Sequence, residues 1–487
     1  MSAASRAFVM VWDGMRPDMI SMDLTPNLWR LTQEGVHFQD SHAVFPTVTR
    51  INSTSLATGS QPAGHGILGN SLYVPAVNPK AAINMGDHRD LEAVAKLRGG
   101  RAVARESLAD LIGAKGGKTV VVSTGSPGSA WLCHPRILER TEAGDRLIHP
   151  VIPSPANALE PVIKQLGPMP EATIPNSRQN LWFTRAIVEH VIPDLDPTLL
   201  VFWHTDPDKT QHHRGFGSPQ GNASIRDADT HLGMILDALD AQGELSETVI
   251  AVASDHGYVT ISPSIEADGP DGPFLAAGLT DALAAGEIVL AANGGSLYIS
   301  VPSGDRGLLE RIVAALAAWK HGGVILTKAV DGAPLPGTLP LETVGIGGEW
   351  APDILCALDW DDEMNQYGLE GRSAGLDTGL AASHGGISSW EINNTLVLSG
   401  AGIKPGLSHQ LPAGNIDLAP TLAELLGVGP LADADGRVLS EALEGGPHPR
   451  EVKVSRETFT AEIGSRKHSI QVSTIGTTRY LDLGWTE

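Results

Sequence analysis

Three carboxylates and three imidazoles, most of them just after apolar runs of the chain, could hold metal. Asp13 closes Ala7–Trp12 and is followed by Gly14. Asp208 and His212 stand four residues apart in Thr205-Asp-Pro-Asp-Lys-Thr-Gln-His212. Asp255 and His256 end Thr248–Ala253 within Ser254-Asp-His-Gly257, and His384 lies in Ser383-His-Gly-Gly386. Carboxylate oxygen and imidazole nitrogen form the mixed donor set that borderline divalent ions take, so this set suits two ions such as Zn²⁺. Each piece alone has a plainer reading. A strand-end aspartate commonly caps a turn or helix. With 17 histidines in the chain, a chance Asp–His neighbour is expected, and His42, His65, His134, His204 and His213 are read as core or surface residues. It is the joint pattern that chance neighbours do not reproduce.

A nucleophile is suggested by Phe45-Pro-Thr-Val-Thr-Arg-Ile-Asn52, where a loop with two threonines runs into a helical stretch, Ile51–Thr58. A helix start presents free N–H groups and a positive dipole to a phosphoryl oxygen. Thr47 and Thr49 are both candidates, one of which caps the helix, and spacing does not separate them. Asn70, in Gly64-His-Gly-Ile-Leu-Gly-Asn70, offers an amide to a substrate oxygen or serves as a turn residue. Trp131 either stacks on a substrate ring or packs in the core. The acidic run Asp359-Trp-Asp-Asp-Glu363 reads as a solvated loop in preference to a cation site.

Positioning these groups requires strands that end together. Short apolar runs alternate with helical patterns along most of the chain, which predicts an α/β fold with a mostly parallel sheet and helices on both faces. Candidate strands are Ala7–Trp12, Thr119–Ser123, Leu199–Trp203, Thr248–Ala253 and Asn394–Leu398. Candidate helices are Asn27–Gln33, opened by Thr25 as N-cap and Pro26 as first residue, Gln179–Val191 and Ser224–Ala241. From about Ile261 the texture shifts to Gly/Pro-rich links. These hold two strand candidates, Ile288–Ala292 and Ser296–Val301, and a helix near Leu308–Trp319, together read as an insertion that caps the sheet.

The 487 residues supply a large core. Lys+Arg 34 against Asp+Glu 56 gives a net charge of −22, which disfavours nucleic-acid polymers and anionic membranes as partners. Cys133 and Cys356 are too few for a disulfide framework, and Asp13 and Arg16 interrupt the first apolar run before a leader could form. No stretch reaches the roughly 18 apolar residues of a membrane span. A cytoplasmic protein with a small-molecule substrate is expected, and self-association into a homo-oligomer is left open.

The order of the motifs resembles the alkaline phosphatase superfamily, most closely its nucleotide pyrophosphatase/phosphodiesterase branch. Asp13-Gly-Met-Arg16, Thr25-Pro-Asn27, Pro46-Thr-Val-Thr-Arg-Ile-Asn52, Thr58-Gly59, His65-Gly-Ile67 with Gly69-Asn70, Pro207–His212, Asp255-His-Gly257 and His384-Gly385 match its pattern, as does Asn415-Ile-Asp-Leu-Ala-Pro-Thr421. The resemblance implies an alkaline-phosphatase-like core at 1–260 and 381–445, an inserted cap at 261–380, and a C-terminal extension at 446–487 packing on the core. It implies Thr49 as the nucleophile, and one metal held by Asp13, Thr49, Asp255 and His256. It implies a second metal held by Asp208, His212 and His384, with Asn70 on a nonbridging phosphoryl oxygen. The implied activity is hydrolysis of phosphodiester or nucleotide pyrophosphate bonds of small molecules on two zinc ions, through a phosphothreonine intermediate.

One departure concerns substrate. The family usually follows its nucleophile with Phe-Pro, whereas this chain has Arg50-Ile51. Arg50 is either a surface ion pair or a clamp for an extra anionic group. Alternatives are a phosphonoacetate hydrolase-like C–P hydrolase, a phosphomonoesterase of the same superfamily, and a catalytically silent binding protein. A sulfatase is disfavoured because neither cysteine sits in a Cys-x-Pro-x-Arg context.

Overall fold

The computed structural model describes residues 4–376 and 379–487. An eight-stranded sheet runs in the order Leu407–His409, Val36–Phe38, Leu396–Gly400, Thr248–Ala253, Arg6–Trp12, Leu199–His204, Thr119–Ser123, Arg146–Ile148. Arg6–Trp12 lies at its centre, parallel to Leu199–His204 (Val9 opposite Val201) and to Thr248–Ala253 (Val9 opposite Ala251). Leu396–Gly400 is antiparallel to both neighbours. The central strands are continuous apolar runs because both faces are covered. Phe8, Met10 and Trp12 pack on one side with the helices Pro26–Glu34, Ser177–Ala186 and Pro219–Ala241. Val9 and Val11 pack on the other with Thr49–Thr58, Leu108–Ala114, Pro127–Leu132 and Asn415–Leu425.

All five candidate strands lie in this sheet, Asn394–Leu398 being displaced to Leu396–Gly400. Thr25 precedes its helix as read, but its side chain makes no cap hydrogen bond. The free amides of Asn27 and Leu28 donate instead to the Asp229 carboxylate, at 3.0 and 2.8 Å. The Ser177–Ala186 helix continues as a π-helix over Ile187–Leu195.

Between the core strands, a five-stranded sheet contains the hairpin Val289–Asn293/Ser296–Ser300. One of its faces packs on the helix Arg306–Ala318, with Leu297, Ile299, Ile312 and Leu316 buried together. From its other face Tyr298, Val324 and Leu355 join the core cluster of the main sheet. That shared packing holds the hairpin against the main sheet. A three-stranded meander, Ser455–Ile463, Arg466–Ile475 and Thr478–Thr486, ends the chain. It is tied to the core by the Tyr480 hydroxyl donating to Asp417 at 2.9 Å and by His42 against Asp482 at 3.2 Å. The acidic run lies at the surface as read, Asp361, Asp362 and Glu363 being exposed, with Trp360–Asp361 forming a short strand and the carboxylates paired on the surface. Asp361 and Glu363 pair with Arg372, and Asp362 accepts from Trp390 Nε1 at 2.7 Å.

Among the described residues, no helix is long and apolar enough to cross a membrane.

Candidate active site

Parallel strands deliver their following loops to one sheet edge, so residues far apart in sequence meet there. Asp13 follows the central strand, and Asp255 and His256 follow its neighbour, giving one buried group whose ligand atoms all lie within 4.8 Å. Asp208, His256 and His384 form a second such group, with His212 Nε2 3.1 Å from Asp208 Oδ1. The structure thus brings together all six strand-end residues read from sequence. It differs in one respect: His256 belongs to both groups, its ring stacked on His384 at 3.5 Å and 14°.

Asp13 and Asp255 are each held by one carboxylate oxygen and present the other. Asp13 Oδ2 accepts from Trp203 Nε1 at 2.9 Å, and Asp255 Oδ1 accepts from the Gly14 amide at 3.1 Å. The other oxygens, Asp13 Oδ1 and Asp255 Oδ2, lie 3.5 and 3.1 Å from His256 Nε2, buried and without the alignment of a hydrogen bond. The imidazoles follow the same plan. The Nδ1–H of His212 donates to Ala382 O (2.8 Å), that of His256 to Gly257 O (3.0 Å) and that of His384 to Thr47 O (2.7 Å), which gives Nε2 to the site in all three. Buried atoms with acceptor character that face one another without hydrogens between them are what a cation requires, and fixed outer partners of this kind orient metal ligands.

The charges strain against each other. Burial, followed by the neighbouring Asp255 and Asp208, pushes the Asp13 carboxyl well above the ordinary carboxylate range. Asp208 feels the same burial but is held well below that range by His212 and His384. Burial lowers His256, yet Asp255 and Asp208 outweigh it and raise this imidazole, while burial and the His256 charge depress His384.

The two threonines part company in the fold. Thr47 is committed to structure, its hydroxyl donating to Gly386 O at 2.9 Å and accepting from the Gly385 amide at 3.0 Å. Thr49 is the first residue of the Thr49–Thr58 helix, 6% exposed, and among the described residues no hydrogen bond engages its hydroxyl. Asn52 clamps the loop before it, bonding Val44 N and Val44 O at 2.7 and 2.9 Å. The Asn415 amide links Asn52 to the backbone carbonyl of Asp255, at 2.9 and 2.8 Å. The Arg50 amide donates to Asn70 Oδ1 at 3.0 Å, so Asn70 is bound to the helix start by its oxygen and has its amide nitrogen to offer.

Arg50 is half-buried, and its Nε has no partner. Burial lowers its pKa, against the pull of Asp13, Asp208 and Asp255. The surface ion-pair reading of Arg50 is therefore set aside. Trp131 is a core residue, 6% exposed with Nε1 donating to Pro135 O at 3.0 Å, which corrects the substrate-stacking alternative.

Sequence reading passed over Trp203, Tyr258, Asn293 and the function of Arg16. Tyr258 donates its hydroxyl to Asp208 O at 3.1 Å. Arg16, buried between the rings of Phe216 and Trp390 at 4.5 and 4.4 Å, donates to Tyr258 O at 3.2 Å.

The architecture is that of a known hydrolase fold. Mouse ectonucleotide pyrophosphatase/phosphodiesterase 5, an inactive form in complex with AMP, superposes with a TM-score of 0.62 over 87% of this chain and 96% of that one at 18% identity. Its human counterpart gives a TM-score of 0.58 over 87% and 95% at the same identity. The chain belongs to the type I phosphodiesterase/nucleotide pyrophosphatase family, whose model matches residues 7–318. That is a family of metal-dependent hydrolases.

Among curated relatives, an uncharacterized pyrophosphatase/phosphodiesterase of Schizosaccharomyces pombe is 35% identical over 80 residues, 16% of each chain. A bis(5'-adenosyl)-triphosphatase of Xenopus laevis is 33% identical over 86 residues, 18% of this chain and 19% of that protein. A venom phosphodiesterase of Naja atra is 25% identical over 252 residues, 51% of this chain and 26% of that protein. These matches span from about a sixth to a quarter of the relatives' own lengths.

Proposed function

We propose that the protein hydrolyses phosphodiester or nucleotide pyrophosphate bonds of small molecules, with Thr49 as the nucleophile and a phosphothreonine intermediate. The observation that supports this most is an unengaged hydroxyl at a helix start, preceded by a clamped loop, in a fold whose adjoining strand ends carry two convergent carboxylate–imidazole groups. The donor chemistry fits two zinc ions. Held by Asp13, Thr49, Asp255 and His256 and by Asp208, His212 and His384, they would supply Lewis acidity to the attacking, nonbridging and leaving oxygens.

The chain's own residues do the rest. Thr49 Oγ attacks phosphorus as the bond to the leaving group breaks, and the Asn70 amide donates to a nonbridging oxygen as charge develops there. Water then attacks the phosphothreonine from the vacated side and restores the hydroxyl. Two in-line displacements give net retention at phosphorus. Asp13, Asp208 and Asp255 bias the pocket against a dianionic monoester and toward a monoanionic diester. Arg50 adds a positive charge beside Thr49 and favours a substrate whose second arm is anionic, such as a further phosphate or a carboxylate.

The test compares bis(p-nitrophenyl) phosphate with p-nitrophenyl phosphate on zinc-loaded protein, with Thr49→Ala as control. A diester preference that disappears in the variant is expected. Monoester preference would place the protein with the phosphatases, and silence on both with turnover of phosphonoacetate would favour C–P hydrolysis.

A further inference from the structure

The hairpin turn Asn293-Gly294-Gly295-Ser296 of the inserted sheet meets the loops that carry Asn70 and His384. Asn293 is 1% exposed, and its side chain is spent on the loop that carries Asn70. Its Oδ1 accepts from the backbone N–H of Asn70 at 2.7 Å and from the backbone N–H of Ser71 at 2.9 Å, while Nδ2 donates to Ser71 O at 3.0 Å. Tyr298, from the next strand, donates its hydroxyl to Leu68 O at 2.6 Å in the same loop.

The same turn also grips the His384 loop. The Gly295 amide donates to His384 O at 2.9 Å, and Ser296 Oγ donates to Gly385 O. Gly385 has φ +105°, and a Cβ there would collide with the Asn293 carbonyl oxygen, so the two backbones are in direct contact.

We infer that Asn293 is a positioning residue: from the inserted sheet it fixes Asn70, the proposed donor to the phosphoryl oxygen, in register with the His384 loop. The inference rests on the proposed function for the part played by Asn70. Physically, two part-buried backbone N–H groups of one loop share a single side-chain acceptor. Removing that acceptor leaves both unsatisfied, and the loop shifts to find other partners. A donor to a developing oxyanion is effective only while held in place, so the loss falls on kcat and leaves KM little changed.

The experiment is a double-mutant cycle on bis(p-nitrophenyl) phosphate with Asn293→Ala, Asn70→Ala and the pair. Asn293→Ala should lower kcat about tenfold with KM within about twofold, and add less than about twofold in the Asn70→Ala background. Asn293→Asp keeps the shared acceptor and should recover most of the rate, and it stands in if the alanine variant does not fold. Equal fold losses in both backgrounds, or wild-type kcat in Asn293→Ala, would overturn the inference. Amide hydrogen exchange gives a readout independent of turnover: the segment containing Asn70 and Ser71 should exchange faster in Asn293→Ala, and unchanged exchange would refute the positioning role. Wild-type protein silent on every phosphoester would instead refute the functional reading and leave the exchange result standing.

Discussion

Replacing Arg50 by methionine separates substrate recognition from the chemistry. Methionine keeps an unbranched side chain and removes the guanidinium that lies beside Gly86, while the Arg50 backbone amide still donates to Asn70 Oδ1. In the wild-type protein the guanidinium Nε has no protein acceptor, and no carboxylate within ion-pair distance claims the group, although Asp13, Asp208 and Asp255 all act on it at longer range. An anionic arm of the substrate is the partner such a group lacks. A charge-assisted hydrogen bond contributes about 1.5–3 kcal/mol. Half-burial leaves some solvent screening, which favours the lower end, and at about 1.4 kcal/mol per decade this is roughly a 10- to 30-fold effect. The assay is kcat/KM for a nucleoside triphosphate, which carries an anionic arm, against bis(p-nitrophenyl) phosphate, which does not. Arg50→Met should lose about 10- to 30-fold on the first and less than about threefold on the second. Equal losses on both would show that Arg50 supports the site generally and does not read the substrate.

Chelation should abolish turnover and lower the unfolding temperature, since the proposed ligand atoms Asp13 Oδ1 and His256 Nε2 are buried with no hydrogen-bond partner among the described residues. With metal about 100-fold above its Kd, each ion contributes about 2.7 kcal/mol, which for a chain of this length is roughly 2–3 °C per site by calorimetry. A melting temperature indifferent to metal would argue against a folded binding site. Away from the site, burial and then the charges of Arg98 and Arg105 push the His65 imidazole down to about 3. A histidine kept neutral by the fold gives stability that is present above its unfolded value of 6.5 and lost as pH falls from there toward 3. The loss is about 1.4 kcal/mol per pH unit. Urea unfolding of His65→Gln between pH 7.5 and 5 should show a correspondingly shallower dependence, and an identical slope would refute the assignment.

Much of the core was legible because burial on both sheet faces writes a plain signal. Phe8, Met10 and Trp12 face one cluster, Val9 and Val11 the other, so the whole run is apolar. Most of the six ligand-type residues were legible because they follow such runs, Asp13 after Ala7–Trp12 and Asp255 and His256 after Thr248–Ala253. What spacing hid was contact at long range. Thr47 and Thr49 look alike in sequence, and only the Gly385 and Gly386 loop, more than 300 residues away, shows that Thr47 is already engaged. His256 in both groups is likewise a product of its stacking on His384. Asn293 lies just after a strand candidate and was passed over, because its partners Asn70 and Ser71 are over 220 residues distant. The closing meander alternates polar and apolar residues joined by Gly464 and Gly476, a pattern that the reading of a plain extension passed over.

The central claim is that Thr49, and not Thr47, is phosphorylated during turnover. Acid-quenching the zinc-loaded protein with bis(p-nitrophenyl) phosphate, followed by peptide mass spectrometry, tests it most directly. A phosphoryl group on Thr49, absent in Thr49→Ala, is the result predicted. A phosphoryl group on Thr47, or turnover by Thr49→Ala at the wild-type rate, would contradict it.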